Sequence, residues 1–416
     1  MVQEFWLKCI DCAEKYAEDE RIYFCRKCGG LLDVEYRYDE DCFIPWSKSF
    51  RERPLGVWRY RELLPIREPD KIVSMNEGGT RLIRCKNLER DLGIKEIYVK
   101  YEGENPTGSF KDRGMTVGVT KALETGAKTT ICASTGNTSS SLAAYSAKAG
   151  LECVVLVPSK KIALGKLSQA LIHGAKVLAV RGGFDDCLRL VKELSRDKRF
   201  YLLNSINPFR LEGQKTAAYE IYEQLRGIPD KLLIPVGNAG NIVAYWKGFK
   251  ELKRLGLTDE LPSFMGVQAA GASPVYKAYV EGSDEVKPMK EVETIATAIR
   301  IGNPVNWKRA LKAVRESAGL MGAVTDEEIL QAQRILASRE GIFAEPAGAA
   351  PIAFLIKAAR EGFIERDSSV VCIVTGHGLK DPDIVLKTAG KLVEIEPSIG
   401  GVLEALGGTF AKQALR

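Results

Sequence analysis

Lys111 lies in the stretch YEGENPTGSFKDRGM (residues 101–115), directly after Asn-Pro-Thr-Gly-Ser-Phe and just before Asp112 and Arg113. A cation at a helix start opposes the helix dipole, so a purely structural lysine fits poorly there. A free lysine titrates near pH ~10.4 and is a weak nucleophile at neutral pH. Desolvated, or condensed with an aldehyde, the same amine becomes a covalent anchor and, once displaced, a proton shuttle.

Three short loops follow apolar runs and could serve that chemistry. Gly237, Asn238, Ala239, Gly240 and Asn241 follow KLLIPV. Small residues let backbone N–H groups approach an anion at a helix start, so this is a candidate phosphate cup, although it lacks a P-loop lysine and could be a plain turn. Ser134, Thr135, Gly136, Asn137 and Thr138 follow TTIC. They suit a carboxylate or phosphate, or an N-cap with extra serines. Thr375 ends SSVVCIV, with Gly376 and Gly378 flanking His377; its hydroxyl could bond a ring nitrogen or simply end a strand. Two anion cups, a glycine-flanked hydroxyl and the lysine together suit an aldehyde cofactor bearing a phosphate.

Cys9-x-x-Cys12 and Cys25-x-x-Cys28 form two knuckles, with Gly29 and Gly30 permitting the second tight turn. That spacing predicts a structural zinc ribbon, the alternative being four unmetallated thiols; four thiolates leave no open coordination position for catalysis. Cys42, Cys85, Cys132, Cys153, Cys187 and Cys372 are dispersed, several in apolar runs, and read as small reduced core residues. Only two histidines occur, His173 and His377, and neither stands beside a nucleophile motif, which argues against a histidine-based hydrolase or a histidine-rich metal centre.

The elements that must position these groups are legible. Short apolar runs (KTTICAS, LECVVLVP, KVLAVRG, RFYLLNS, KLLIPVG, SFMGVQA, SSVVCIVTG) alternate with amphipathic segments such as EGQKTAAYEIYEQLRG and NIVAYWKGFKELKRLG. This predicts an α/β fold of two doubly wound parallel-sheet lobes. Thr325 and Glu328 read as a capping box. The chain divides into a ribbon (1–36), an Arg/Pro/Trp-rich arm (37–75), a large body (76–114 with 206–416) and a small body (115–205). Its 416 residues, 45% hydrophobic, can build several cores. A net charge of +6 spread over 60 basic and 54 acidic residues, with no basic block, argues against nucleic acid or membrane as partner and suits a small anionic substrate. The N-terminus lacks the layout of a secretory leader, which predicts a cytoplasmic protein.

YEGENPTGSFKDRGM, CASTGNTSSS, SINPFRLEGQKTAAYEI, PVGNAGNIVAYWKG and VTGHGLKDP, in that order from about Arg53 to Lys387, resemble the threonine synthase family of fold-type-II pyridoxal-phosphate enzymes. The resemblance implies the tryptophan-synthase-β-like fold, pyridoxal 5'-phosphate carried on Lys111, and its phosphate held by Gly237–Asn241. It implies Asn137 at the phenolic oxygen and Thr375 at the pyridine nitrogen. Ser134, Thr135 and Thr138 would receive substrate polar groups, and Asn204 and Arg210 the phosphate of O-phospho-L-homoserine, with Lys215 as a weaker candidate. The implied reaction, the last step of threonine biosynthesis, gives L-threonine and phosphate, in a homodimer. The ribbon is an extension that transfers no catalytic role.

The nearest rival is a threonine/serine dehydratase of the same fold. Dehydratases tend to show a glycine run where GNAGN stands here, and serine or cysteine at the place of Thr375. Arg210 makes sense only for a phosphorylated substrate. A cysteine synthase would continue its asparagine loop into glycine where Ser139 stands. A non-catalytic binding protein is disfavoured by the intact Lys111, Asn137 and Thr375.

Overall fold

A computed structural model describes residues 4–37, 50, 52–159, 164–388 and 393–406. Of the arm, residues 38–49 and 51, with Cys42 among them, lie outside the described residues. Strands β1 (Phe5–Cys9), β2 (Lys15–Tyr16) and β3 (Leu32–Tyr36) form an antiparallel sheet in the order β2-β1-β3. Alternation buries Phe5, Leu7, Cys9, Leu32, Val34 and Tyr36 on one face.

Next come β4 (Leu82–Arg84), β5 (Glu96–Tyr101), β6 (Thr129–Ala133), β7 (Glu152–Pro158), β8 (Lys176–Val180) and β9 (Phe200–Leu202). The last four strands are β10 (Lys231–Pro235), β11 (Ser263–Ala269), β12 (Leu320–Val324) and β13 (Ser369–Val374). They make a four-stranded parallel sheet, β8-β7-β6-β9, and a six-stranded sheet, β12-β11-β10-β13-β5-β4, parallel except at its β4 edge. The expected apolar runs all became strands. Alternate residues serve two cores: Leu232, Ile234, Val371 and Ile373 pack on one face of the larger sheet, Leu233, Val370, Cys372 and Val374 on the other. Burial on both faces is why these strands read as unbroken apolar runs. Beyond the expected strands the structure adds β4, β5 and β12. Their runs carry charges or glycine and show only part of the signal.

The helices in chain order are α1 (Lys86–Leu92), α2 (Lys111–Glu124), α3 (Asn137–Lys148), α4 (Leu164–Ile172), α5 (Phe184–Leu194) and α6 (Phe209–Leu225). After them come α7 (Gly240–Arg254), α8 (Pro274–Val280), α9 (Trp307–Glu316), α10 (Asp326–Glu340) and α11 (Pro346–Arg360). The capping box forms as read: Thr325 N–H donates to Glu328 (2.7 Å) and Glu328 N–H to Thr325 Oγ1 (3.2 Å). In the arm, a 3-10 helix over Val57–Leu63 buries Val57, Tyr60 and Leu63.

One helix contact matters most for the site. On α2, Gly114 and Gly118 lie one turn apart and face α6. A Cβ on Gly114 would stand 2.8 Å from the Arg210 carbonyl, and one on Gly118 would strike Leu203. On α6, a Cβ on Gly213 would collide with the Arg113 carbonyl. The two helices approach backbone to backbone, which brings the first turn of α6 beside the first turn of α2.

The described residues from Asp381 onward, expected as part of the large body, form a compact unit of their own, with helices Pro382–Thr388 and Ile399–Ala405. No described helix is long and apolar enough to cross a membrane.

Candidate active site

Three loops leave the carboxyl ends of β5, β10 and β13, neighbours in the six-stranded sheet and the usual place for ligands in such folds. The loop after β5 is tied to the loop after β13: Phe110 N–H donates to Thr375 O (3.0 Å) and His377 N–H to Gly108 O (2.9 Å). The segment before α11 joins them, since Glu345 N–H donates to Gly376 O (3.0 Å) and Gly378 N–H to Phe343 O (2.9 Å). Lys111, Thr375 and Glu345 are thereby held on one hydrogen-bonded frame.

Lys111 is the first residue of α2, where a cation needs a reason to be. Its two neighbours are anchors. The Asp112 carboxylate accepts from Thr107 N–H (2.7 Å), Thr107 Oγ1 (2.6 Å) and Ser141 Oγ of α3 (2.5 Å). Arg113 is buried between Glu102 (2.6 Å) and Glu220 (2.6 Å). Lys111 itself is half-buried and makes no ion pair with any described residue; its Nζ sits 3.7 Å from the centre of the Phe110 ring. Burial, with the nearby Arg210 charge second, pushes its pKa down to about 7, against the opposite pull of Glu345. Such an amine is largely unprotonated above neutral pH, the state a nucleophile or base requires.

Arg210, on the first turn of α6, is buried, and its Nε and Nη1 meet no acceptor among the described residues. Burial pushes its pKa down to about 10. A guanidinium in such a place calls for an anion. The sequence reading grouped Asn204 and Lys215 with it, and both have other work here. Asn204 is bonded to the backbone of Ala133 through Oδ1 and Nδ2, at 3.0 Å each, so it fixes the start of the Ser134–Thr138 loop. Lys215 is fully buried against Glu212 (2.7 Å) and Glu251 (2.9 Å), an ion-pair cluster inside α6 and α7, which removes it as a phosphate ligand.

The cup after β10 has the expected form. Ala239 takes a left-handed conformation (φ 64°) at the N-cap of α7. The backbone N–H groups of Gly237–Asn241 meet no acceptor among the described residues. Asn241 is buried, with neither amide atom partnered. A Cβ on Gly237 would come within 3.1 Å of Ala298 O and Ile299 Cα. Asn306 braces the cup through its backbone N–H to Asn238 O (3.2 Å). Across the site, Ser134 Oγ accepts from Gly136 N–H (3.2 Å), and Thr135 and Thr138 are half-buried on the same loop. Asn137 opens α3 and donates from Nδ2 to both Glu345 oxygens (3.2 and 2.9 Å), and Thr375 Oγ1 donates to Glu345 Oε1 (3.2 Å).

These residues fit a phosphorylated aldehyde cofactor. The orphaned Asn241 amide and the free N–H groups of a crowded glycine loop match a phosphate, and a desolvated amine matches an aldehyde. In the N-terminal sheet, the Cys9, Cys12, Cys25 and Cys28 sulfurs lie within 4.8 Å of one another, the closest pairs at 3.4–3.5 Å. A tetrahedron of Zn–S bonds has S···S edges of about 3.8 Å. The donor set therefore fits zinc.

A family model described as pyridoxal-phosphate dependent enzyme matches residues 73–376, and the chain belongs to that family. Within it the chain goes with the threonine synthases. It is 58% identical over 390 residues to the threonine synthase of Methanocaldococcus jannaschii, covering 94% of this chain and 96% of that one. The Methanosarcina acetivorans threonine synthase is 55% identical over 406 residues (97% and 99% covered), that of Mycobacterium tuberculosis 49% over 365 (88% and 99%). Among solved structures, threonine deaminase isoform 2 of Solanum lycopersicum superposes with a TM-score of 0.63 at 23% identity, over 75% of this chain and 83% of that one. Diaminopropionate ammonia lyase of Escherichia coli gives 0.63 at 20%, over 76% and 88%. Both show the shared fold.

The sequence reading missed Glu345 and Asn306. Glu345 had a signal: an acidic residue just before a proline that starts a helix, where Ser, Thr, Asp or Asn usually caps. Asn306 had none, since its partners come from a distant loop.

Proposed function

We propose that the chain converts O-phospho-L-homoserine and water to L-threonine and phosphate, as a cytoplasmic, pyridoxal-phosphate-dependent homodimer with zinc in its ribbon. The division into ribbon, arm, small body and large body, the last ending at Lys380, belongs to the same proposal. The observation that carries the substrate is Arg210: a buried guanidinium with two unpartnered nitrogens, close enough to depress the pKa of Lys111. A dehydratase acting on threonine or serine offers only the α-carboxylate that every amino-acid substrate carries, and no second anion for that group.

The roles divide by position. Gly237–Asn241 hold the cofactor phosphate through backbone N–H groups and the Asn241 amide. Asn137 and Thr375 would hold the ring. Pyridoxal phosphate, when bound, supplies the carbonyl for the substrate amine and an electron sink beside Cα. Lys111 then takes the proton from Cα and returns one at the end, which its pKa of about 7 allows at neutral pH. Ser134, Thr135 and Thr138 orient the substrate carboxylate. Arg210, on the first turn of α6, balances the phosphate charge as that group departs from Cγ.

The test is a product assay on the reconstituted protein with O-phosphohomoserine, L-threonine and L-serine as competing substrates, with Lys111→Ala as blank. Threonine and phosphate should appear in equal amounts from the first. A higher kcat/KM for 2-oxobutanoate formation from threonine would favour the dehydratase.

A further inference from the structure

Glu345 is the N-cap of α11, yet its side chain does not cap the helix. It turns into the site instead. Its carboxylate accepts from Asn137 of α3 (2.9 Å) and from Thr375 at the end of β13 (3.2 Å), two residues carried by different sheets. It is 4% exposed, and space has been cleared for it: a Cβ on Gly376 would stand 2.6 Å from its carboxyl carbon. The charged groups facing Lys111 are Arg210 and Glu345. Those facing Glu345 are Lys111 and Lys380, the latter donating to Thr107 O (3.0 Å). Burial raises the pKa of Glu345, and Asn137, Lys111, Lys380 and Thr375 hold it down.

We propose that Glu345 is a positioning residue of the cofactor site, which fixes the Asn137 amide and the Thr375 hydroxyl relative to each other and supplies the negative charge that keeps a proton near Lys111. This rests on the reading above for what Asn137, Thr375 and Lys111 hold. Glu345 itself need touch no reacting atom. Asn137 and Thr375 come from separate sheets, and a shared carboxylate sets their separation where neither sheet alone can. Gly376 has no side chain because Glu345 occupies that space.

The experiment compares the wild-type holoenzyme with Glu345→Gln, Glu345→Asp and Glu345→Ala. Its readouts are the thermal midpoint of the apoprotein, the affinity for pyridoxal phosphate and the pH titration of the bound cofactor's visible absorbance. Glu345→Gln, equal in shape and neutral, should keep the thermal midpoint. Its absorbance titration should move to lower pH by about one unit, because the charge that favours protonation near Lys111 is gone. Glu345→Asp should restore the titration toward wild type while binding cofactor more weakly, because its shorter arm cannot reach both partners. Glu345→Ala should lose cofactor affinity at least tenfold. If all three variants change only the thermal midpoint, Glu345 is an ordinary helix-terminal residue and the proposal fails, while the functional reading stands. If the wild-type protein itself binds no pyridoxal phosphate, both fail.

Discussion

Lys111 and Arg210 make no ion pair with any described residue, and their predicted behaviour follows from that. With its pKa depressed to about 7, the Lys111 amine loses its proton as pH rises through neutrality, some three units earlier than a free lysine. The apoprotein should therefore combine with pyridoxal phosphate at a rate that climbs through pH ~7 and levels off well below pH ~10, read by stopped-flow absorbance. A profile still climbing at the free-lysine pKa would place the amine in water. Arg210 makes a coupled prediction about stability and affinity. Arg210→Met removes a buried charge whose Nε and Nη1 lack acceptors, so in anion-free buffer the apoprotein should unfold at higher temperature. The same variant should weaken O-phosphohomoserine binding by about 2–5 kcal/mol, seen as a raised KM. An unchanged KM would remove Arg210 from the phosphate site.

Among the elements, the contact of α2 with α6 does the most for the site, because it puts Arg210 beside Lys111. It depends on glycines that look unremarkable in sequence. Gly213→Ala sets a Cβ against the Arg113 carbonyl, a backbone atom that cannot swing away. The helices must separate, at a cost of about 1–3 kcal/mol or more in urea unfolding. Activity should fall further than stability, since Arg210 lies one turn from Gly213. Gly93→Ala is the control: its glycine has positive φ (67°) with nothing within 4 Å, so it strains α1 locally and leaves kcat alone. Strand and helix types along the central segments were readable because both sheet faces are buried and the helices are amphipathic. The glycine contact was not, because no local pattern says which face of α2 meets which turn of α6.

Across the whole molecule the ribbon touches both parallel-sheet bodies. Tyr36 donates to Glu212 of α6 (2.5 Å), and Asp33 pairs with Lys247 of α7 (3.1 Å). On the other side Tyr23 Oη accepts from Leu202 N–H of β9 (2.8 Å). With the proposed zinc in the ribbon, its removal by chelation or by Cys9→Ser should lower the thermal midpoint and speed hydrogen exchange at the Leu202 amide, while kcat per surviving folded enzyme stays near wild type. A kcat that collapses without unfolding would give the ribbon a part in catalysis.

Lys111, the Gly237–Asn241 cup, Asn137, Thr375 and the four ribbon cysteines could be picked out as candidates in the sequence, because each sits in a short local motif: a strand end, a helix start or a knuckle. The alternation of apolar runs likewise told of parallel sheets. Only the tertiary structure showed that Asn204 is bonded to the Ala133 backbone, that Lys215 belongs to an internal ion-pair cluster, and that Glu345 joins Asn137 to Thr375. The physical reason is that a polar side chain's role depends on which partner reaches it first, and here the deciding partners lie as far as 71 and 208 residues away along the chain.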